Sequence, residues 1–180
     1  MPTAHPHYDA LAQRFTRIHR FGHLQQIAQW DQQANMPPQG NEARSAALAE
    51  MAALLHRLRT EPALSADLEA AAHETLDDAQ RANLREMRRQ WDASNALPEA
   101  LVERRSLAAS RCEHAWRSQR AANDWAGFLP NLKEMLAVTR ECAQRLAERS
   151  GLTPYDALMD QYEPGMTTAK VRAVFGEVRQ

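Results

Sequence analysis

The stretch Asp124-Trp125-Ala126-Gly127-Phe128-Leu129-Pro130-Asn131-Leu132, running on through Leu136, Thr139, Ala143 and Leu146 to Gly151, decides how this chain folds. Positions 129, 132, 136, 139, 143 and 146 recur at alternating steps of three and four. That spacing lines side chains along one stripe of an α-helix, as the helices of an antiparallel bundle require. Asp124 offers the short acceptor side chain of an N-cap, and Gly151 stands where a left-handed residue closes a helix. Thr153 and Pro154 then start the next helix as N-cap and first helical residue.

The same pattern repeats on both sides of this helix, which is expected over 125–150. A first helix over 8–30 has Tyr8, Leu11, Phe15 and Ile18 on one face, and Leu24, Ile27 and Trp30 continue it with a phase shift near Gly22. Met36-Pro37-Pro38-Gln39-Gly40 ends it in a proline-rich turn over 35–41. A helix over 42–59 carries Leu48, Met51, Leu54, Leu55 and Leu58 on one side, and a short one over 65–75 follows Glu61-Pro62. Asp77 and Gln80 have capping-box spacing and open a helix over 78–94 through Leu84, Met87 and Trp91. Leu97-Pro98 leads into a helix over 98–123, with Leu101, Ala108, Cys112, Trp116 and Gln119 near one stripe.

After 154–162 a turn at Glu163-Pro164-Gly165 precedes the last helix, 168–180, striped by Val171, Val174, Phe175 and Val178. Alanine, leucine, glutamine, glutamate and arginine dominate, and no apolar run alternates as a strand does. The expected fold is therefore all-α, a multi-helix antiparallel bundle of seven or eight helices. The last stripe runs to Gln180 without a capping glycine or a polar tail, which creates the expectation that further chain belongs against it.

Composition narrows the function classes. Hydrophobic residues are 44% and charged residues 25%, ordinary for a soluble globular protein. A net charge of −1 supplies no field for nucleic acid or an anionic membrane. The arginines of Arg85-Glu86-Met87-Arg88-Arg89 have acidic neighbours and read as a solvated helix face. No apolar run reaches the roughly 18 residues of a membrane span, and residues 1–8 lack a signal-peptide core. Cys112 and Cys142 match neither a metal spacing nor a disulfide framework, which favours a reduced, cytoplasmic setting.

No catalytic, cofactor-binding or metal residue is assigned. His19 and His23 stand four apart on one helical face, but Arg20 occupies the position where a zinc-protease helix carries its glutamate base, and no third ligand is evident. Cys112 and His114, two apart, point to different sides of a helix and cannot act as nucleophile and base. Asp156, Asp160 and Glu163 have no histidine beside them to complete a site. Phosphate loops and nucleophile elbows are absent from the sequence.

Three segments carry a family resemblance. Gln29-Trp30-Asp31-Gln32-Gln33-Ala34-Asn35-Met36-Pro37-Pro38 resembles the segment near the start of thermostable carboxypeptidases of the carboxypeptidase Taq family. Leu97-Pro98-Glu99-Ala100-Leu101-Val102, then Trp116, Asn123-Asp124-Trp125 and Phe128-Leu129-Pro130-Asn131-Leu132, is similar to the family's next block. Pro154-Tyr155-Asp156-Ala157-Leu158-Met159-Asp160-Gln161-Tyr162-Glu163-Pro164-Gly165-Met166 is similar to the most distinctive stretch of this half. The departures are Gln33-Ala34-Asn35, where glutamate-threonine-tyrosine is usual, and Trp125, where phenylalanine is common.

The resemblance implies the N-terminal helical part, residues 1–180, of a larger, mostly helical zincin-like metallocarboxypeptidase. Such an enzyme removes C-terminal amino acids with broad specificity, uses zinc or cobalt on a His-Glu-x-x-His helix with a downstream glutamate, and is commonly a homodimer. That helix lies beyond position 180 in the family, so this stretch is expected to lack the catalytic region, to be inactive alone and to form one wall of a substrate groove. In that setting Trp30 and Met36-Pro37-Pro38 are expected to fix the first corner, and Tyr155, Tyr162 and Pro164 to pin the last turn. The competing expectation is a stand-alone helical module that binds a peptide or protein.

Overall fold

A computed structural model describes residues 4–179. Among them the chain forms eight α-helices and one short 3₁₀ turn, with no strand, and the all-α expectation holds. The helices are α1 (Pro6–Ala34), α2 (Asn41–Arg59), α3 (Ala63–Ala71), α4 (Asp78–Asn95), α5 (Glu99–Ala121), α6 (Trp125–Ser150), α7 (Pro154–Met159) and α8 (Thr168–Val178). The 3₁₀ turn, Pro38–Gly40, sits inside the proline-rich corner.

Caps account for most of the boundaries. Asp77 accepts from the Gln80 amide at 2.8 Å while its own amide donates to Gln80 Oε1 at 3.0 Å, a complete capping box for α4. Asp124 accepts from the Gly127 amide at 2.9 Å, and a Cβ on Gly127 would lie 2.2 Å from Asp124 Oδ2, so the first turn of α6 needs that glycine. Gly151 closes α6 at φ 73°, in the left-handed region.

Several boundaries move. α1 begins at Pro6 and runs to Ala34, beyond the expected 8–30. α3 spans Ala63–Ala71 rather than 65–75, because the chain leaves the helix to bring Glu74 to the start of α1. There Glu74 accepts from the amides of His7 and Tyr8 at 2.9 and 3.0 Å, filling donors that a helix start leaves open. α7 stops at Met159 rather than 162, since Asp160 Oδ1 turns the chain by accepting from the Gly165 amide at 2.7 Å. α5 spans Glu99–Ala121 rather than 98–123, and α8 closes at Val178, with Arg179 as its cap, short of the expected 180, a position outside the described residues.

Two apolar clusters form the core. In one, Leu11 of α1 meets Leu64, Leu68 and Ala71 of α3 and Leu84 and Met87 of α4. In the other, Leu101 and Ala108 of α5 meet Val138, Cys142 and Leu146 of α6 and Ala157 of α7. α2 lies between them, burying Leu48, Ala53 and Leu55 against α1 and α5.

Not every expected stripe is core. In α6 the inward line runs Met135, Val138, Cys142 and Leu146, while Leu136 is 44% exposed. Beyond Gly22, α1 keeps its phase, so Leu24, Ile27 and Trp30 project to solvent and Gln32 is the buried residue. Trp116 of α5 is likewise half exposed, with Ser110 taking the buried position. α8 buries nothing.

Candidate functional site

A groove of about 770 Å³ is bordered by α1, α2, α4, α5, α6 and α7. Its α1 wall shows Gln25, Gln29 and Gln33, four residues apart and therefore on one face. Across from them stand Arg105, Ser106 and Glu113 of α5 and Met135 and Thr139 of α6. The floor is apolar, with Leu48, Leu55 and Leu146, and Tyr162 lies at the edge.

A buried polar junction holds the walls at fixed distance. Gln32 Nε2 donates to Ser110 Oγ at 2.7 Å and to Asn41 Oδ1 at 3.2 Å. Ser45 Oγ shares a hydrogen bond with Ser110 Oγ at 2.6 Å, so α1, α2 and α5 meet in one satisfied network. Just outside it, Arg44 pairs with Asp31 at 2.7 Å and donates to the Ala28 carbonyl at 2.8 Å. These contacts fix the corner expected of Trp30, which is 63% exposed. His56 lines the floor. Burial, opposed by Glu99 and reinforced by Arg59 and Arg57, pushes its imidazole below the ordinary value, which keeps it neutral at pH 7.

His19 and His23 do face a common cavity of about 390 Å³, together with Arg59, Asn83, Gln26 and Gln90. Two imidazoles beside a guanidinium are a poor donor set for a cation. Cys112 is half-buried and Cys142 buried, and burial raises both thiols, so neither is an activated nucleophile. His114 is half-buried on the same helix as Cys112.

Two of the three acidic residues of the last turn, Asp156 and Asp160, are structural. Asp156 is buried and accepts from the Thr168 amide at 2.7 Å, an acceptor–donor pair that holds its carboxyl below the ordinary range and fastens the start of α8. Asp160 takes the Gly165 amide, and Lys170 Nζ donates to the Gly165 carbonyl at 2.8 Å. Tyr155 and Tyr162, expected to pin this turn, are exposed, Tyr162 to 89%.

The bundle and its corners have counterparts in known proteins. Residues 10–180 match the family described as carboxypeptidase Taq (M32) metallopeptidase. The chain belongs to that family. Thermostable carboxypeptidase 1 of Thermus thermophilus is 36% identical over 166 residues, which are 86% of this chain and 32% of that protein. Among solved structures, Trypanosoma cruzi metallocarboxypeptidase 1 superposes with a TM-score of 0.79 at 44% identity, covering 96% of this chain and 35% of the other. Pyrococcus furiosus carboxypeptidase gives 0.77 at 29% identity with the same coverage. The chain thus spans about a third of the M32 relatives it matches.

Membership of a metallopeptidase family implies a metal in full-length members. The residues present do not fit one: among the described residues no group of three or more His, Cys, Asp or Glu is arranged to hold a metal ion, and the His19–His23 pair faces Arg59. No described helix is long and apolar enough to cross a membrane. Sequence reasoning missed Gln32, Ser45, Ser110, His56 and Asp156. Only Asp156 carried a signal, three residues after Thr153 at the start of a helix.

Proposed function

We propose that this chain is the N-terminal helical part of a metal-dependent carboxypeptidase that releases C-terminal amino acids from peptides with broad specificity. The match over residues 10–180, with about a third of each relative's length covered, is the observation that carries this reading. A zinc or cobalt ion would be held by a His-Glu-x-x-His segment of the longer polypeptide, and no such segment occurs in these residues. The part described here would supply one wall of the peptide groove. Gln25, Gln29 and Gln33 suit such a wall because a side-chain amide both donates and accepts, as peptide groups do. A cytoplasmic homodimer is the proposed setting.

The test is a chimera. This chain replaces the matching third of the Thermus thermophilus relative, and release of C-terminal residues from a blocked dipeptide is measured. Restored activity is expected, with none from the 180-residue chain alone under zinc or cobalt. A chimera that folds and binds metal but releases nothing would count against the reading. It would favour the rival, a stand-alone helical module binding peptide or protein partners through the same groove.

A further inference from the structure

The cavity of about 390 Å³ that His19 and His23 face is a cleft between α1 and α4, reached by the end of α2. α1 lends it His19, His23 and Gln26, which steps of four and three residues put on one helical face. α4 lends Asn83 and Gln90, seven residues apart and again on one face. Arg59, the last residue of α2, is half-buried in the same lining. Gly22 keeps the middle open, since a Cβ there would meet nothing within 4 Å.

The charge of Arg59 goes unanswered. No carboxylate lines the cleft. Arg57, two residues earlier, pairs with Glu99 at 2.5 Å, whereas Arg59 pairs with no carboxylate among the described residues. Burial pushes its guanidinium below the ordinary value, with no opposite charge to offset it. Acids on the adjoining elements are engaged elsewhere, Glu61 and Asp67 by Arg14 and Glu86 by Arg89. α1 adds to the positive field. Between Asp9 and Asp31 it carries Arg14, Arg17 and Arg20 and no carboxylate, and among the described residues only Arg14 of the three reaches an acid.

We infer that this cleft binds a phosphate group, with Arg59 as the charge that meets it and His19, His23, Asn83 and Gln90 as the donors around it. The guanidinium repels a cation, while imidazoles and side-chain amides can all donate to an anion. A planar carboxylate is satisfied by one guanidinium fork and would leave the donors of α1 and α4 unused. A tetrahedral anion presents oxygens to three helices at once. Phe15 and Met87 give the lining an apolar side for the organic body of a phosphate ester. The site goes beyond the carboxypeptidase reading, and its test reads binding rather than peptide hydrolysis.

Calorimetric titration of the 180-residue chain at low salt tests it, with inorganic phosphate, phenyl phosphate and acetate as probes. Saturable one-to-one binding of a phosphate probe at about 1 mM or tighter is expected, with acetate at least about tenfold weaker. Tighter binding of phenyl phosphate would assign the site to a phosphate ester, tighter binding of inorganic phosphate to the free ion, and either supports it. Arg59→Gln should lose about tenfold or more with its circular dichroism unchanged. Gly22→Leu fills the cleft without altering its charge, and leucine suits a helix better than glycine, so this variant should fold and still lose about tenfold. Arg85→Gln, which removes an α4 charge outside the lining, should bind as the parent chain does. No saturable binding, acetate as tight as phosphate, a folded Arg59→Gln or Gly22→Leu variant with unchanged affinity, or an equal loss in Arg85→Gln would each overturn the site.

Discussion

Helices α6 and α8 both carry apolar residues at three- and four-residue spacing, and their fates differ completely. α6 buries Val138, Cys142, Ala143 and Leu146 between α5 and α7. α8 leaves Phe175 66% and Val178 77% exposed and is attached mainly by polar groups at its start, Asp156 to the Thr168 amide and Lys170 to the Gly165 carbonyl. Periodicity specifies a helix and its apolar face, but burial requires a partner surface, and only α6 has one within these residues.

The largest expected effect follows from that contrast. Leu146→Ala removes a buried side chain from the α5–α6–α7 cluster and should cost about 2–5 kcal/mol in chemical unfolding. Val174→Ala on α8 should stay within about 0.5 kcal/mol. Equal losses would show that α8 is packed as firmly as α6 and would erase the distinction.

A similar inversion occurs within α1. Gln32→Ala should cost about 1–3 kcal/mol, because Ser110 and Asn41 lose a buried donor. Trp30→Ala, two residues away, should cost less than about 0.5 kcal/mol. A destabilising Trp30→Ala would restore the tryptophan to the corner.

These pairs show where the sequence was readable. Caps and stops were, because Asp77 with Gln80, Asp124 with Gly127, and Gly151 act on their own backbone within a few residues. The stripe of Tyr8, Leu11, Phe15 and Ile18 was readable for the same reason, since helix periodicity is local. Leu24, Ile27 and Trp30 misled because a phase shift at Gly22 can mean a turned core face or an exposed patch, and only the third dimension distinguishes them. The Gln32–Ser110–Ser45 junction was invisible: three polar residues distributed over positions 32 to 110 have no spacing that announces contact. The groove inherits that limit, being made by six helices at once.

If the α8 stripe lacks a partner, it should find one. The chain alone is proposed to self-associate through Val174, Phe175 and Val178, large apolar side chains each worth roughly 1.5–3 kcal/mol when fully buried. Sedimentation velocity across a concentration series should show a reversible larger species, and Phe175→Ser should weaken it about tenfold or more. A strictly monomeric chain that also fails to bind an apolar-surface dye would mean that the stripe is satisfied within the molecule.

The smallest effect separates the two regions by acid. His56, in the groove floor, has its imidazole pushed below 6.5 by burial, so the unfolded chain takes up that proton first as pH falls. Its contribution is complete above about 6.5 and is lost as pH drops through the folded value. Asp156 has its carboxyl held below 3.8, chiefly by the Thr168 amide, and again the unfolded chain protonates first. The hold on α8 is therefore intact above 3.8 and fails as pH drops through the lower folded value. Acid should loosen the groove first and the α8 attachment last, although α8 is the less buried element. Two-dimensional amide spectra from pH 7 to 3 would resolve the order, with Thr168 reporting Asp156 and the α2 amides around His56 reporting the floor. Asp156→Asn keeps a side-chain acceptor and should abolish the acid-range shift of the Thr168 amide while leaving the His56 response in place. An α8 start that detaches together with the groove, near the ordinary histidine range, would mean that Asp156 does not hold it, and the polar attachment drawn for α8 would fail.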